Sequence, residues 1–132
     1  MDSYNWHRYS AAESYKRILQ GEHPWVAFGD FLDDWLRSES EDRLELVSQP
    51  LVKASTPDEQ HWAALFAAAI EQLCISEGFA VPAWIMEPRY YLQEPWYPTA
   101  RKEKLRHFME ETTSEIFKRR KVFVGDRVLL RA

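Results

Sequence analysis

The sequence predicts an all-α protein, a compact single-domain bundle of about five to six helices around a central Ala-rich helix. Apolar residues recur at helical spacing in several segments, and residues typical of helix ends bound those segments. A length of 132 residues fits one domain, residues 1–132, with residues 1–9 as an N-terminal extension. Because 45% of the residues are apolar, the chain can bury a core without a disulfide or a metal ion.

The first two helices are predicted from their ends and their apolar stripes. Ser10 and Glu13 have the spacing of a capping box, and the stripe that follows ends at Gly21, a typical C-terminal glycine. Pro24 suits the first turn of a second helix, in which apolar residues recur at helical spacing. Its stripe consists of Trp25, Phe28, Phe31, Leu32, Trp35 and Leu36.

Polar residues of the second helix and a short third helix complete the first part of the chain. The aspartates of the second helix fall opposite its apolar stripe and are expected to form an exposed acidic face; they are Asp30, Asp33 and Asp34. A third helix over residues 41–48 ends before Pro50, because proline cannot continue a helix. Its apolar residues are Leu44, Leu46 and Val47.

The fourth helix, Pro57 to Glu77, has the best-marked ends in the chain. Thr56 suits the N-cap, Glu59 is placed to close a capping box, and Gly78 follows the last residue. Beside its main apolar face runs a second face of small residues, which allows other helices to approach closely. That face consists of Ala63, Ala64, Ala67 and Ala68. We therefore expect this helix at the centre of the bundle.

An aromatic segment, residues 79–100, follows the fourth helix and contains six rings and four prolines. So apolar a segment is expected to cross the core, with Trp84 and Trp96 mostly buried. Thr99 is predicted to cap a fifth helix that extends to about Glu111. The side chains that this helix is expected to bury are Leu105, Phe108 and Met109.

The C-terminal part is predicted to contain one more helix and a short tail. Thr112 and Glu115 repeat the capping-box spacing just before Ile116 and Phe117. Residues 122–124 are apolar and β-prone, and Gly125 begins a turn. The tail is therefore expected to be irregular or β-like.

Charge, cysteine content and the lengths of the apolar runs indicate the cellular environment of the protein. Residues 1–100 carry 7 Lys or Arg against 16 Asp or Glu, whereas residues 101–132 carry 10 against 5. The single Cys74 cannot form an internal disulfide, and no apolar run approaches the roughly 20 residues that cross a bilayer. We expect a soluble cytoplasmic protein that does not associate with membranes.

Catalytic, metal-binding and phosphate-binding motifs are not evident in the sequence. The four histidines lie in separate segments without ligand spacing, and four glycines are too few for a phosphate-binding loop. Cys74 falls on an apolar helix face, where a thiol behaves as a small hydrophobe. We predict no metal site and no cofactor. A small enzyme whose site is assembled from distant His, Asp and Glu residues stays an alternative.

The most prominent local signal is the basic segment, residues 118–121, which lies between two phenylalanines. It consists of Lys118, Arg119, Arg120 and Lys121. Three interpretations are open: a solvated helix end favoured by the helix dipole, a contact to an acidic protein, or a contact to nucleic-acid phosphates. The net charge of -4 disfavours the nucleic-acid interpretation.

Four short motifs carry a resemblance to a bacterial family: FLDDWLR (31–37), EQLCISEGFAVPAW (71–84), EPWYP (94–98) and IFKRRKVFV (116–124). Over roughly residues 10–130, the chain resembles the all-helical C-terminal domain of bacterial regulators often described as antitoxin-like. In those regulators the domain follows a helix-turn-helix domain, and their genes commonly neighbour one for a nucleotidyltransferase-like protein. Because this chain starts near the first helix of the resembling region, we expect the DNA-binding domain to be absent. The resemblance implies no catalytic residues.

These observations favour a small interaction module that binds a protein partner, for example the product of a neighbouring gene. The predicted contacts are a charged rim and two aromatic anchors, comprising Lys118, Arg119, Arg120, Lys121, Trp96 and Tyr97. A homodimer is compatible with this interpretation. The alternative from another class is a nucleic-acid-binding accessory protein that uses the same basic segment.

Overall fold

A computed structural model describes residues 7–130 of the chain. Within that range the backbone forms six α-helices and two short 3₁₀-helices, so the all-α prediction is confirmed. Backbone contacts group the chain into two compact units, Met1–Val52 and Lys53–Ala132. The assignment of residues 1–132 to one domain stays a prediction, and residues 1–6 of the predicted N-terminal extension lie outside the described part.

The first unit begins with α1 (Ala11–Leu19), which packs on α2 (Pro24–Arg37). The Ser10 hydroxyl accepts the Glu13 N–H at 3.1 Å, as its capping-box position predicts. Gly21 follows the helix with φ of 103°, a conformation that favours glycine. Pro24 occupies the first turn of α2, and most of the predicted stripe of α2 is buried. The exceptions are Trp25, which is half-buried, and Leu36, which is 52% exposed.

Asp34 departs from the predicted acidic face, since this residue of α2 is only 2% exposed. Its carboxylate accepts the backbone N–H of Tyr9 at 2.6 Å and lies 3.3 Å from the Arg37 guanidinium. The prediction of an exposed Asp34 is therefore wrong. A carboxylate can be buried when it is hydrogen-bonded and paired, and the segment before α1 supplies one of the donors.

The last helix of the first unit, α3 (Ser40–Leu46), is slightly shorter than predicted. Leu46 and the following Val47 are buried, whereas 44% of Leu44 is exposed. The Arg43 guanidinium donates a 2.8 Å hydrogen bond to the carbonyl oxygen of Trp35 at the end of α2.

The second unit is built on α4 (Pro57–Glu77), which has the predicted bounds. The Thr56 hydroxyl accepts the Glu59 N–H at 3.1 Å, and the Glu59 carboxylate accepts the Ser55 N–H at 2.7 Å. Gly78 ends the helix with φ of 74°. Every residue from 62 to 71 is buried, including all four predicted alanines. Within this unit, the prediction of a central helix is confirmed.

The aromatic segment, residues 79–100, follows α4 and contains the two 3₁₀-helices, Ala83–Met86 and Pro88–Tyr90, which both contact α4. Trp84 and Tyr90 are buried, with their ring centroids 5.3 Å apart in an edge-to-face arrangement. The prediction of a buried Trp84 is confirmed, whereas Trp96 is only half-buried.

The second unit ends with α5 (Glu103–Thr112), α6 (Glu115–Arg119) and an irregular tail. Lys102, not Thr99, precedes the first residue of α5, so the predicted cap is wrong. The predicted burial of Leu105 and Phe108 is also wrong, because 41% and 53% of these residues are exposed. The tail agrees with its prediction.

The start of α6 and the tail are held by backbone and threonine hydrogen bonds. Ser114 precedes α6 without a side-chain cap, so the predicted capping box at Thr112 is absent. Thr113 instead donates to the Met109 carbonyl oxygen at 2.6 Å and accepts the Gly125 N–H at 2.8 Å. Among residues 7–130 the only extended pairing is an isolated parallel bridge between Trp96 and Val122. None of the helices in this range has the length and apolarity of a membrane span.

Candidate interaction surface

The basic segment is divided by the chain reversal at the end of α6. Lys121 adopts φ of 62°, and the N–H of Val122 donates to the Phe117 carbonyl oxygen at 3.1 Å. The N–H of Lys121 donates to the Lys118 carbonyl oxygen at 2.9 Å, which completes a Schellman motif. Because the backbone turns here, the four consecutive cations do not form one surface.

Arg120 points into the interior and is 0% exposed. Its Nη2 lies 2.8 Å from Oε1 of Glu71, and its Nη1 donates to the carbonyl oxygens of Ile85 at 2.9 Å and Tyr90 at 3.3 Å. The guanidinium also covers the Tyr91 ring, 4.3 Å from the centroid. The prediction of Arg120 as part of an exposed charged rim is therefore wrong. This residue joins α4 to the aromatic segment.

Arg119 pairs with the second oxygen of the same carboxylate, at 3.1 Å from Oε2 of Glu71. Lys118 is half-buried, and Lys121 is exposed and donates from Nζ to the Gln93 carbonyl oxygen at 2.8 Å. Two of the four cations thus neutralise a buried carboxylate of the protein itself. Of the four cations on which the nucleic-acid interpretation was based, Arg120 is buried, and Arg119, which is 47% exposed, shares the Glu71 carboxylate with it.

Trp96 holds the aromatic segment against α4 and the tail. Its ring stacks on His61 at 4.8 Å and meets the Trp62 ring edge-on at 5.1 Å. Its backbone N–H donates to Lys121 and its carbonyl oxygen accepts from Phe123, both at 2.9 Å. Burial lowers the pKa of His61, and the nearby Asp58 opposes that shift in part.

Tyr97 borders an open recess of about 580 Å³ on α5. Its ring stacks on Phe123 at 5.1 Å, and the Arg106 guanidinium lies 5.1 Å from its centroid. The Tyr97 hydroxyl donates to the Glu110 carboxylate. The recess is lined by Tyr97, Glu103, Lys104, Arg106, His107 and Glu110.

Two polar groups of this recess pair with carboxylates. The hydrogen bond to Glu110, together with burial, raises the pKa of Tyr97, so the phenol keeps its proton at neutral pH. His107 is highly exposed and lies 2.8 Å from the Glu111 carboxylate. The recess therefore combines two basic and two acidic side chains with an aromatic ring and a histidine.

The outer face of α5 carries exposed apolar side chains. The helix is held to the unit by Arg106, which donates to the Ala100 carbonyl oxygen at 3.1 Å, and by Glu110 through Tyr97. Met109 lies so close to Gly125 that an added Cβ there would come within 2.9 Å of its sulfur. No residue of α5 is buried, and its exposed apolar residues are Leu105 and Phe108.

The apolar spacing of α5 had predicted the opposite orientation. An amphipathic helix normally turns its apolar residues toward its own core. The charges of α5 are also ordered unusually: Lys102 precedes its first residue, Lys104 lies in its first turn, and Glu110 and Glu111 lie at its end. That order opposes the helix dipole, so these charges are not placed to stabilise the isolated helix.

Three other candidate features are Cys74, possible metal ligands and a second recess. Cys74 is buried, and the loss of water raises the pKa of its thiol to about 11. Residues 7–130 contain no cluster of three or more His, Cys, Asp or Glu side chains suited to a metal ion. A second recess, of about 330 Å³, lies in the first unit beside Arg8 and Asp42, whose side chains are 3.5 Å apart.

Comparison with known proteins gives no relative: no protein-family model, no curated protein and no solved structure matches the chain.

Proposed function

We propose that this chain is a cytoplasmic protein–protein interaction module that binds a partner protein through α5. Such a role agrees with the resemblance of the sequence to antitoxin-like regulatory domains. The observation that carries the proposal is the orientation of α5, which contacts its own unit through Arg106, Met109 and Glu110 and leaves Leu105 and Phe108 exposed.

The spacing of the exposed residues suits recognition by a groove or by another helix. Leu105 and Phe108 are three residues apart and therefore lie one turn apart on the same face. Partner proteins commonly bind an amphipathic helix through anchors at such positions. If a partner buried these two side chains, binding would gain about 25 cal/mol of free energy for each Å² of apolar surface removed from water.

Among the aromatic and basic residues predicted from the sequence, Tyr97 extends this surface, because it borders the recess on α5. Lys118 and Lys121 make no ion pair within residues 7–130, so their charges are available to attract an acidic partner. Contact of Lys118, Arg119, Lys121 and Trp96 with a partner stays a prediction.

The test compares affinity capture by three full-length baits from the cytosol of the source cell. The baits are the wild type, the double variant Leu105→Ser/Phe108→Ser, and Leu36→Ser, which alters a leucine of α2 that is 52% exposed. We expect at least one protein that the wild type and Leu36→Ser retain to fall about tenfold with the α5 variant. Identical sets of captured proteins for all three baits would contradict the proposal.

A second variant separates a protein partner from nucleic acid. Lys118→Gln/Lys121→Gln removes two cations and leaves both partners of Glu71 in place. For a protein partner we expect slower association with nearly unchanged stability. A DNA or RNA shift by the wild type that falls steeply with salt and disappears in the variant would support the nucleic-acid alternative instead.

A further inference from the structure

We infer that the partner of α5 is a second copy of this chain, whose own α5 lies antiparallel against the first. This inference rests on the proposed function, because it names the occupant of the same exposed face. In such a pair Leu105 of each copy lies near Phe108 of the other across a two-fold axis, and both apolar side chains leave water. The charge pattern of α5 favours this occupant.

The charges of α5 are complementary to those of the same helix reversed. Arg101 and Lys102 just before α5 and Lys104 in its first turn are basic, and the acidic residues at its end are Glu110 and Glu111. Glu103 is the single acid in the first turn, and the last turn has no cation. In the isolated helix this order is unfavourable, because the dipole favours anions at the start and cations at the end. In an antiparallel pair, each basic end lies beside an acidic end of the other copy, and the two helix dipoles point in opposite directions.

The register follows from residues at the edge of the apolar face. Lys104 and Glu111 are seven residues apart, so they lie on the same side of α5, about two turns from each other. In an antiparallel pair, the same side of each helix faces its counterpart. Lys104 of one copy therefore faces Glu111 of the other, and the pairing occurs twice. A parallel pair would instead place the two basic ends side by side and the two acidic ends side by side.

The groups at these positions are free to rearrange. The Glu111 side chain is 63% exposed, and its only ion pair within residues 7–130 is with the exposed His107 at 2.8 Å. Lys104 is exposed at the mouth of the recess. A helix of ten residues is about 15 Å long, so the interface falls at the small end of specific interfaces, and we expect weak dimerisation that depends on protein concentration.

The experiment is sedimentation equilibrium of the purified full chain over about 5 to 500 µM at low salt. We expect the average mass to rise from 15.7 kDa toward twice that value. Leu105→Ser/Phe108→Ser should remain monomeric, whereas Leu36→Ser should behave as the wild type. Circular dichroism melting of each variant verifies that the chain is folded.

Charge reversal tests the antiparallel register. Lys104→Glu or Glu111→Lys alone turns both attractive pairs into repulsive ones and should raise the dissociation constant about tenfold. The double reversal should restore the dimer. A mixture of the two single variants should dimerise more tightly than either variant alone, because each then supplies the charge that the other requires.

The inference is overturned by a mass that stays at 15.7 kDa across the whole range. It is also overturned by a dimer that the Ser variant leaves intact, or by reversals that the double variant and the mixture do not rescue. If no dimer forms but the Ser variant loses a captured protein of another sequence, the proposed function stands and only the identity of the partner is wrong. If both assays are negative, the two proposals fail together.

Discussion

Glu71 and Arg120 form a buried ion pair in which the carboxylate and guanidinium are 2.8 Å apart and their side chains are 4% and 1% exposed. Glu71 lies in α4, and Arg120 lies just beyond the last residue of α6. The same guanidinium donates to two carbonyl oxygens of the aromatic segment, those of Ile85 and Tyr90. One pair therefore connects three parts of the second unit that are distant in sequence.

Replacement of Glu71 with glutamine should be strongly destabilising. The amide is neutral, so the charge of Arg120 would remain buried without an opposite charge, at a cost of about 3 to 5 kcal/mol. Chemical denaturation measures the change in the free energy of unfolding. Arg119→Gln is the matched control, because Arg119 pairs with the same carboxylate but is 47% exposed, and its loss should cost about 1 kcal/mol or less. Equal effects of the two variants would refute this distinction.

Lys121→Gly should preserve or raise stability, although it removes a side chain. A residue other than glycine in the left-handed region costs about 1 to 2 kcal/mol, and Lys121 has φ of 62°. Glycine relieves that cost but loses the hydrogen bond to Gln93 and gains freedom when unfolded, so we expect a net gain between zero and about 1 kcal/mol. Denaturation midpoints should rank glycine at or above lysine, and valine below both. A valine variant as stable as the wild type would be inconsistent with a strained Lys121.

The two tryptophans of the aromatic segment should differ in their effect on stability. Trp84 is 9% exposed and packs on Tyr90, so Trp84→Ala should cost about 3 to 5 kcal/mol. Trp96 is half-buried, and Trp96→Ala should cost less because water can fill part of the space. Thermal or urea unfolding of both variants gives the comparison. A larger loss of stability for Trp96→Ala than for Trp84→Ala would contradict this order. It would show that the contacts of Trp96 with His61 and Trp62 contribute more than the burial of Trp84.

His61 should make stability fall toward acidic pH. Burial lowers its pKa in the folded protein below the value of 6.5 expected when it is unfolded, so the unfolded chain binds the proton more readily. The contribution of neutral His61 is therefore present above pH 6.5 and is lost as the pH falls through the lower folded-state pKa. Between about pH 7.5 and 5, the wild type should lose more stability than His61→Gln. If the stability of the wild type and that of His61→Gln changed with pH in parallel, a contribution of His61 would be ruled out.

Local sequence was sufficient to predict most helix ends, because the groups that stabilise a helix end lie within a few residues of it. The orphan N–H groups of α1 and α4 are satisfied by Ser10 and Thr56, each three residues from its donor. Gly78 ends α4 by its own backbone freedom. The start of α5 was missed because Lys102 supplies no side-chain cap, so no local signal marks that end.

The candidate site could be predicted only in part, because exposure depends on residues distant in sequence. Tyr97 and the basic segment were recognised from composition, but the partner of Arg120 is 49 residues away in α4. The orientation of α5 depends in turn on Tyr97, Ala100 and Gly125, which contact its polar side and Met109. Periodicity defines an apolar face without specifying which side the rest of the chain will cover.

The sequence by itself determined that this chain is helical, where most of its helices begin and end, and that α4 lies at the centre of its unit. Those properties follow from backbone hydrogen bonds and side-chain spacing within a few residues. Only the tertiary structure decided which charges are buried. Arg120 and Asp34 are inside because Glu71 and the Tyr9 N–H offset the loss of water, and Lys121 is outside because the backbone reverses. The free energy of a buried charge depends on the group it meets, and that group is supplied by the fold.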